Sequence, residues 1–355
     1  MYTQLDFSRF YSDNAAEQKE FCSALVSDLR QHGFARLVNH GVPAVDIDRA
    51  FETARIPLYA LVLCWDDYRH NIFFELPVDE KLKAPHPPTA NPHRGYSAFG
   101  IENVSAVSSY NKSSAVPLLK DMKVMHFKPI DSRHPAYPVG AKESYDIGSQ
   151  RDPLYSNIWP PPGVCDGFQP TFTSFFEVCY QAQLAILEAV AIGLGLPRQI
   201  FAELHVDQTN ELRLTHYPTV ARDEFASSTR IAAHTDFGSI TLLFQDSVGG
   251  LQAESPPGSG TFVDVASGGP HECILNVGDC LGKWAGLESV YHRVHLPQAR
   301  AVAGDKRAMV DERYSIAYFG KPDRSASLRP VTGEAKEASY MTAGEFQNMR
   351  IQGTY

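Results

Sequence analysis

No two of the six cysteines stand in a C-x-x-C pair, and several sit in apolar segments, as reduced core cysteines do. No stretch of about 18 uninterrupted apolar residues occurs, which argues against a transmembrane helix. Met1 to Phe10 is polar and aromatic, with neither a basic n-region nor an apolar h-region, so the simplest compartment is the cytosol. No run of basic residues stands out. With 32 basic against 41 acidic residues the formal charge is −9, which repels phosphate backbones and anionic membrane surfaces. Nucleic acid and membrane are therefore not expected partners. No internal repeat is visible, and nothing in the sequence specifies an oligomeric state.

What is present suits one large domain with embellishments: 355 residues, 43% of them hydrophobic and 21% charged. The first part, residues 1–165, reads as helical and irregular. Phe21, Leu25 and Leu29 mark an amphipathic helix from Ala15, with Asn14 as N-cap and Gly33 as its stop. Phe34 to Val38 alternates like a strand, and a second helix runs from Ala44 to about Arg55. The stretch from Pro85 to Tyr155, rich in Pro, Ser, Gly and Tyr, reads as irregular. The second part, residues 166–355, opens with a long scaffold helix in which Phe172, Phe175, Phe176, Cys179, Ala182, Ile186 and Ala189 recur at helical spacing. Strand-like runs follow at 211–217, 239–244, 261–265, 273–277, 290–296 and 314–319, with turn clusters between them. That pattern predicts a mostly β fold with flanking helices, a sandwich or jelly-roll barrel. A closing helix carries the capping box Thr342 and Glu345.

The sharpest chemical feature is His234-Thr235-Asp236. On a strand, residues i and i+2 face the same side, so an imidazole and a carboxylate would enter one cavity. With a second imidazole they make a 2-His-1-carboxylate set, which leaves open positions on iron(II). His205-Val206-Asp207 repeats the spacing, but it follows a short helical segment, where i and i+2 diverge, and reads as a solvated helix end. His292, in Val290 to Val294, reads equally as a third ligand or as a core histidine. Arg313 and Ser315 share a face in an otherwise apolar run. A guanidinium entering an interior needs an anion, either a ligand carboxylate or a neighbouring acid.

These residues stand in an order that resembles the isopenicillin N synthase-like 2-oxoglutarate dioxygenases. The resemblance runs from about residue 5 to about residue 350. It takes in Asn39 to Pro43, Phe73 to Pro77, Arg94 to Tyr96, Asn157 to Pro160, His234 to Asp236, Ile240 to Asp246, Gly249 to Gln252, Asn276 to Asp279, Trp284, His292 to Val294 and Arg313 to Ser315. The nearest likeness is to thymine hydroxylases and fungal natural-product oxygenases.

The resemblance implies a double-stranded β-helix core and a helical N-terminal region. It implies Fe(II) held by His234, Asp236 and His292, and 2-oxoglutarate held by Arg313, Ser315 and Tyr217. It further implies that Phe237, Arg213 and Phe319 line the pocket for a small-molecule substrate, oxidised with O₂ by hydroxylation, desaturation or ring closure. Two other readings stand beside it: a 2-oxoglutarate-independent iron oxidase of the same fold, and a non-catalytic metal-binding protein. Two departures from the family are evident. Phe237 replaces a tyrosine common in thymine hydroxylases, which predicts a more apolar or aromatic substrate than thymine. Ile56 to Arg69 is an apolar insert.

Overall fold

The computed structural model describes residues 3–55, 72–89, 91–99, 123–124, 142–221, 228–295, 309–332 and 339–351. The insert 56–69 and Cys64 lie outside them. The other five cysteines are buried and free.

An eight-stranded sheet carries the molecule. Its strands are β1 (Gln4–Asp6), β2 (Phe34–Val38), β3 (Gly95–Ser97), β4 (Glu143–Gly148), β5 (Glu211–Tyr217), β7 (Ile240–Gln245), β10 (Cys273–Val277) and β12 (Arg313–Gly320), in the order β1-β2-β10-β7-β12-β5-β4-β3. All neighbours pair antiparallel except β1 with β2. A four-stranded sheet holds β6 (Ile231–His234), β8 (Leu251–Glu254), β9 (Phe262–Asp264) and β11 (His292–Val294), in the order β9-β8-β11-β6. Phe34, Leu243 and Ile274 of the large sheet pack with Leu251 and Ala253 of the small one, so the two sheets close over a shared core as in a jelly roll.

The large sheet's other face is covered by helices. Helix α1 (Ala15–His32) is capped by Asn14, whose side chain accepts from the backbone N–H of Ala16 and Glu17, and it ends at Gly33 with φ +67°. It packs with α2 (Ala44–Ala54) against α3 (Phe168–Gly193), which lies on β7 and β12. Helix α3 is long and apolar enough to cross a membrane by composition, but its apolar residues are spent on this packing: Phe172, Phe175, Phe176, Ile186 and Leu187 are all in the core.

Alternation along the central strands separates the two faces. Leu212 and Leu214, Ile240, Leu242 and Phe244, and Tyr314, Ile316 and Tyr318 face the helices. Their sequence neighbours face the small sheet.

Among its described residues, the stretch 85–155 is less irregular than its composition suggests. Within it β3 and β4 extend the sheet, and every residue of β4 is buried. Glu143 and Asp146 can be buried because they are paired. Glu143 accepts from Lys81 at 2.8 Å, His216 at 2.7 Å and the Tyr96 hydroxyl, while Asp146 meets Arg213. A strand stabilised by ion pairs lacks the apolar alternation that announces strands in a sequence.

Candidate active site

Rows of inward side chains cross the large sheet. Asn276, Thr241, Phe319 and Glu211 stand in register in one row; Ile274, Leu243, Ala317 and Arg213 form the next. Gln245, Ser315 and Thr215 follow, and Arg313 faces Tyr217 at the end. Successive rows are about 7 Å apart, so the cavity over them runs roughly 20 Å along β12. Phe237, Phe319, Arg213, Tyr217, Arg313 and Ser315, together with His234, Asp236 and His292, line this one cavity.

Beside the first row, one atom each from His234, Asp236 and His292 gathers within 4.8 Å of the others. Strands β6 and β11 place the histidines directly opposite each other in register, with ring centroids 4.4 Å apart. The i, i+2 spacing predicts both His234 and Asp236 on a strand, whereas β6 ends at His234 and Asp236 lies in the loop beyond it. That loop is fixed by its backbone: Asp279 N donates to Asp236 O at 2.8 Å, and Cys280 N donates to Gly238 O at 2.9 Å. Gly238 has no room for a side chain, because a Cβ would overlap the Gly320 carbonyl.

The ligating atoms are aimed by their partners. Nδ1–H of His234 donates to Ala232 O at 2.8 Å and that of His292 to Val290 O at 3.2 Å, which turns both Nε2 lone pairs inward. Each Nε2 lies near Asp236 Oδ1, at 3.9 and 3.7 Å. Asp236 Oδ2 accepts from Thr241 Oγ1 at 2.6 Å and Asn276 Nδ2 at 2.7 Å, leaving Oδ1 for the centre. Burial favours the protonated acid at Asp236, but the imidazoles and these two hydrogen bonds outweigh it and hold the carboxyl below its ordinary range. Burial, aided by His292, lowers His234 to about 4. Two neutral imidazoles and a carboxylate are the donor set that suits iron(II). Thr241 and Asn276 enter the sequence analysis only within the family-like runs 240–246 and 276–279, with no contact to Asp236 assigned, although a polar residue inside the apolar run 273–277 is a usable signal.

At the other end Arg313 is buried, with its guanidinium carbon 4.8 Å from the Tyr217 ring. Nη2 donates to Gln245 Oε1 at 2.7 Å and Nη1 to Ser315 Oγ at 3.3 Å. No carboxylate among the described residues pairs with Arg313, and its Nε and Gln245 Nε2 are buried without acceptors. This end of the cavity therefore fits the carboxylate of a ligand.

The β5 side of the first two rows is charged, whereas Phe237 predicts a more apolar or aromatic substrate than thymine. Arg213 is held bidentately by Asp146 at 2.7 and 3.0 Å and donates to His93 Nδ1 at 2.9 Å. Burial drives His93 down to about 4, so it is a neutral acceptor. Glu211 pairs with Lys321 at 2.5 Å and Arg94 at 3.6 Å. Burial raises the Glu211 carboxyl, but Lys321, His93 and Arg94 outweigh it and bring the group to about 2. His86, His93 and Asp146 also cluster at ligating distance, but the Arg213 cation occupies both Asp146 oxygens and approaches His93, which disfavours a metal ion there. Of this wall only Arg213 is a pocket candidate from the sequence.

His205 is not a solvated helix end. It is fully buried, with Nδ1–H donating to Phe201 O at 2.7 Å and Nε2 accepting from Ser239 Oγ at 2.8 Å. Asp207 is exposed, so the second H-x-D divides between interior and surface and brings no pair together.

Comparison with known proteins agrees with this geometry. Residues 209–322 match the 2OG-Fe(II) oxygenase superfamily, and residues 4–56 match the N-terminal region described for a non-haem dioxygenase in morphine synthesis. The chain is 38% identical to the proline hydroxylase buaE of Petromyces alliaceus, with 99% of each chain covered. It is 35% identical to the 2-oxoglutarate-dependent dioxygenase gloF of Glarea lozoyensis, covering 99% of this chain and 98% of that one. Among solved structures, Neurospora crassa thymine hydroxylase in complex with α-ketoglutarate and thymine is similar at TM-score 0.77 and 29% identity, covering 100% of this chain and 97% of that one.

Proposed function

This chain belongs to the 2-oxoglutarate/Fe(II) oxygenase superfamily, and on that premise we propose that it hydroxylates a small zwitterionic metabolite, a free amino or imino acid, in fungal-type secondary metabolism. Its cofactors are iron(II) and 2-oxoglutarate, with O₂ as oxidant. In this reading His234, Asp236 and His292 hold the iron. Arg313 and Ser315 hold the distal carboxylate of 2-oxoglutarate, and Tyr217 also reaches the cosubstrate.

When bound, iron(II) supplies O₂ activation coupled to decarboxylation of the keto acid, with succinate, CO₂ and an oxidised substrate as products. The protein's part is placement. Thr241 and Asn276 keep Asp236 Oδ1 aimed at the metal position. Arg313 neutralises a charge that would otherwise enter a low-dielectric cavity unpaired. Phe237 and Phe319 give apolar walls to the carbon that reacts, while Arg213 and Glu211 present opposite charges beside it.

The observation that carries the substrate class is the charged wall at Arg213 and Glu211, two residues apart on one strand face with Asp146 and Lys321 fixing them. Preformed, already oriented charges can exchange water for a carboxylate and an ammonium with little reorganisation. The 38% identity to a protein named a proline hydroxylase supports the same class.

The test is release of CO₂ from 2-oxoglutarate by the iron(II) protein in the presence of free L-proline and other amino acids, thymine, and uncharged ring compounds. Stimulation by one or more amino acids is expected. Stimulation by uncharged compounds alone would overturn the substrate class, and no turnover of 2-oxoglutarate with any compound would favour the oxidase reading.

A further inference from the structure

The loop that carries Asp236 is tied to the far end of the chain. Helix α4 (Ala343–Ile351) starts at the capping box: Thr342 N donates to Glu345 Oε2 at 2.8 Å, and Glu345 N donates to Thr342 Oγ1 at 3.3 Å. Its first turn is seated by Ala343 N on Ala326 O at 2.8 Å and Gly344 N on Arg324 O at 2.9 Å. Its last turn reaches the site. Arg350 Nη1 donates to Asp279 Oδ2 at 2.6 Å, and Nη2 donates to Thr235 Oγ1 at 3.0 Å. The same guanidinium lies 4.5 Å from the Phe237 ring centroid, and Ile351 lines the cavity.

We propose that Arg350 is a positioning residue, which locks the His234–Phe237 loop to the C-terminal helix and thereby holds both the metal-binding geometry and the substrate-side wall. Thr235 lies between the two candidate ligands, and Phe237 follows the second. One side chain thus grips the loop on both sides of Asp236. Asp279 completes the clamp, because its backbone N–H holds Asp236 O while its carboxylate holds Arg350. With Arg350 and Asp279 side chains only 13% and 11% exposed, this ion pair is shielded enough to act as a rigid tie rather than a solvated surface contact. The inference rests on the proposed metal role of His234 and Asp236.

Cobalt(II) binding to the metal-free protein tests it without turnover, read from the visible absorption of the bound ion. Arg350→Met should weaken Co(II) binding by about 10-fold or more, the range found when partners of metal ligands are removed, and should alter the band shape. Arg350→Lys, which keeps the charge but not the fork, should recover only part of the affinity. Thr235→Val removes one arm of the clamp at constant shape. Its loss should not add to that of Arg350→Met, because both break the same tie. Should the Met variant fail to fold, Thr235→Val carries the test alone, with the same weakening expected. Parental Co(II) affinity and spectrum in the folded Arg350→Met protein, or in Thr235→Val where that carries the test, would overturn the proposal. His234→Ala is the separate control: if it binds Co(II) like the parent, the metal site itself is misassigned.

Discussion

Arg313 stands directly across from Tyr217 in the pairing of β12 with β5, its guanidinium 4.8 Å from the phenol ring centroid and without a carboxylate partner among the described residues. A buried cation so placed is completed by an anion from outside. Removing one member of a buried charge pair typically costs roughly 3–5 kcal/mol. Arg313→Leu should therefore raise the 2-oxoglutarate requirement by about 10²-fold or more, each 1.4 kcal/mol being tenfold. Iron affinity should survive. Steady-state assays with 2-oxoglutarate and with a keto acid lacking the distal carboxylate separate the possibilities. An equal loss with both would mean that Arg313 serves the fold or the primary substrate.

Thr241 and Asn276 both donate to the outer oxygen of Asp236. His234→Ala, Asp236→Ala and His292→Ala should each abolish turnover. Asn276→Ala and Thr241→Val should keep the fold but weaken iron binding by about 10–100-fold. Titration of the metal-free protein with iron(II) under anaerobic conditions measures this. Unchanged affinity in both variants would show that Asp236 is held by the backbone of its loop alone.

The site was legible where chemistry and strand period coincide. Arg313, Ser315 and Phe319 share a face by simple alternation, and Asn14, Gly33, Thr342 and Glu345 mark helix ends by caps that the structure contains. Asp236 enters the same cavity as His234, but a loop and not a strand carries it there. Strand β4 was missed because its stability comes from partners distant in sequence: Lys81 and His216 for Glu143, and Arg213 for Asp146. Polar residues stabilised by tertiary ion pairs leave no periodic trace. His205 was misread for a related reason, because the hydroxyl that makes its burial tolerable belongs to Ser239, 34 residues away.

His205 should matter for stability rather than chemistry. His205→Ala removes two buried hydrogen bonds and leaves a void, a loss of about 2–4 kcal/mol. Its pH dependence has a definite sign. Burial lowers the folded group from 6.5 to about 4. The neutral form belongs to the fold, so this contribution is fully present above pH 6.5. It is lost as pH falls from 6.5 toward 4, where the unfolded chain takes up a proton that the folded chain refuses. Denaturant midpoints of parent and His205→Gln across this range should converge on acidification. Parallel curves would assign the acid sensitivity to other groups.

Arg213 and Glu211 lie in the two rows of β5 farthest from Arg313, so the primary substrate and 2-oxoglutarate should be separable by mutation. Arg213→Gln removes a charge-assisted hydrogen bond of about 1.5–3 kcal/mol and should raise KM for an amino-acid substrate by roughly 10–100-fold. It also strands Asp146, so Arg213→Gln combined with Asp146→Asn is the control for lost stability. In both variants the apparent requirement for 2-oxoglutarate should stay within a few-fold of the parent. Glu211 is already ionised far below neutrality, because Lys321, His93 and Arg94 outweigh the effect of burial and hold it at about 2. Its charge is therefore constant from pH 5 to 8, and KM should not follow a carboxylate titration in that window. A parallel rise in the 2-oxoglutarate requirement, or an unchanged substrate KM in the double variant, would remove Arg213 from substrate recognition and leave it as a structural partner of Asp146.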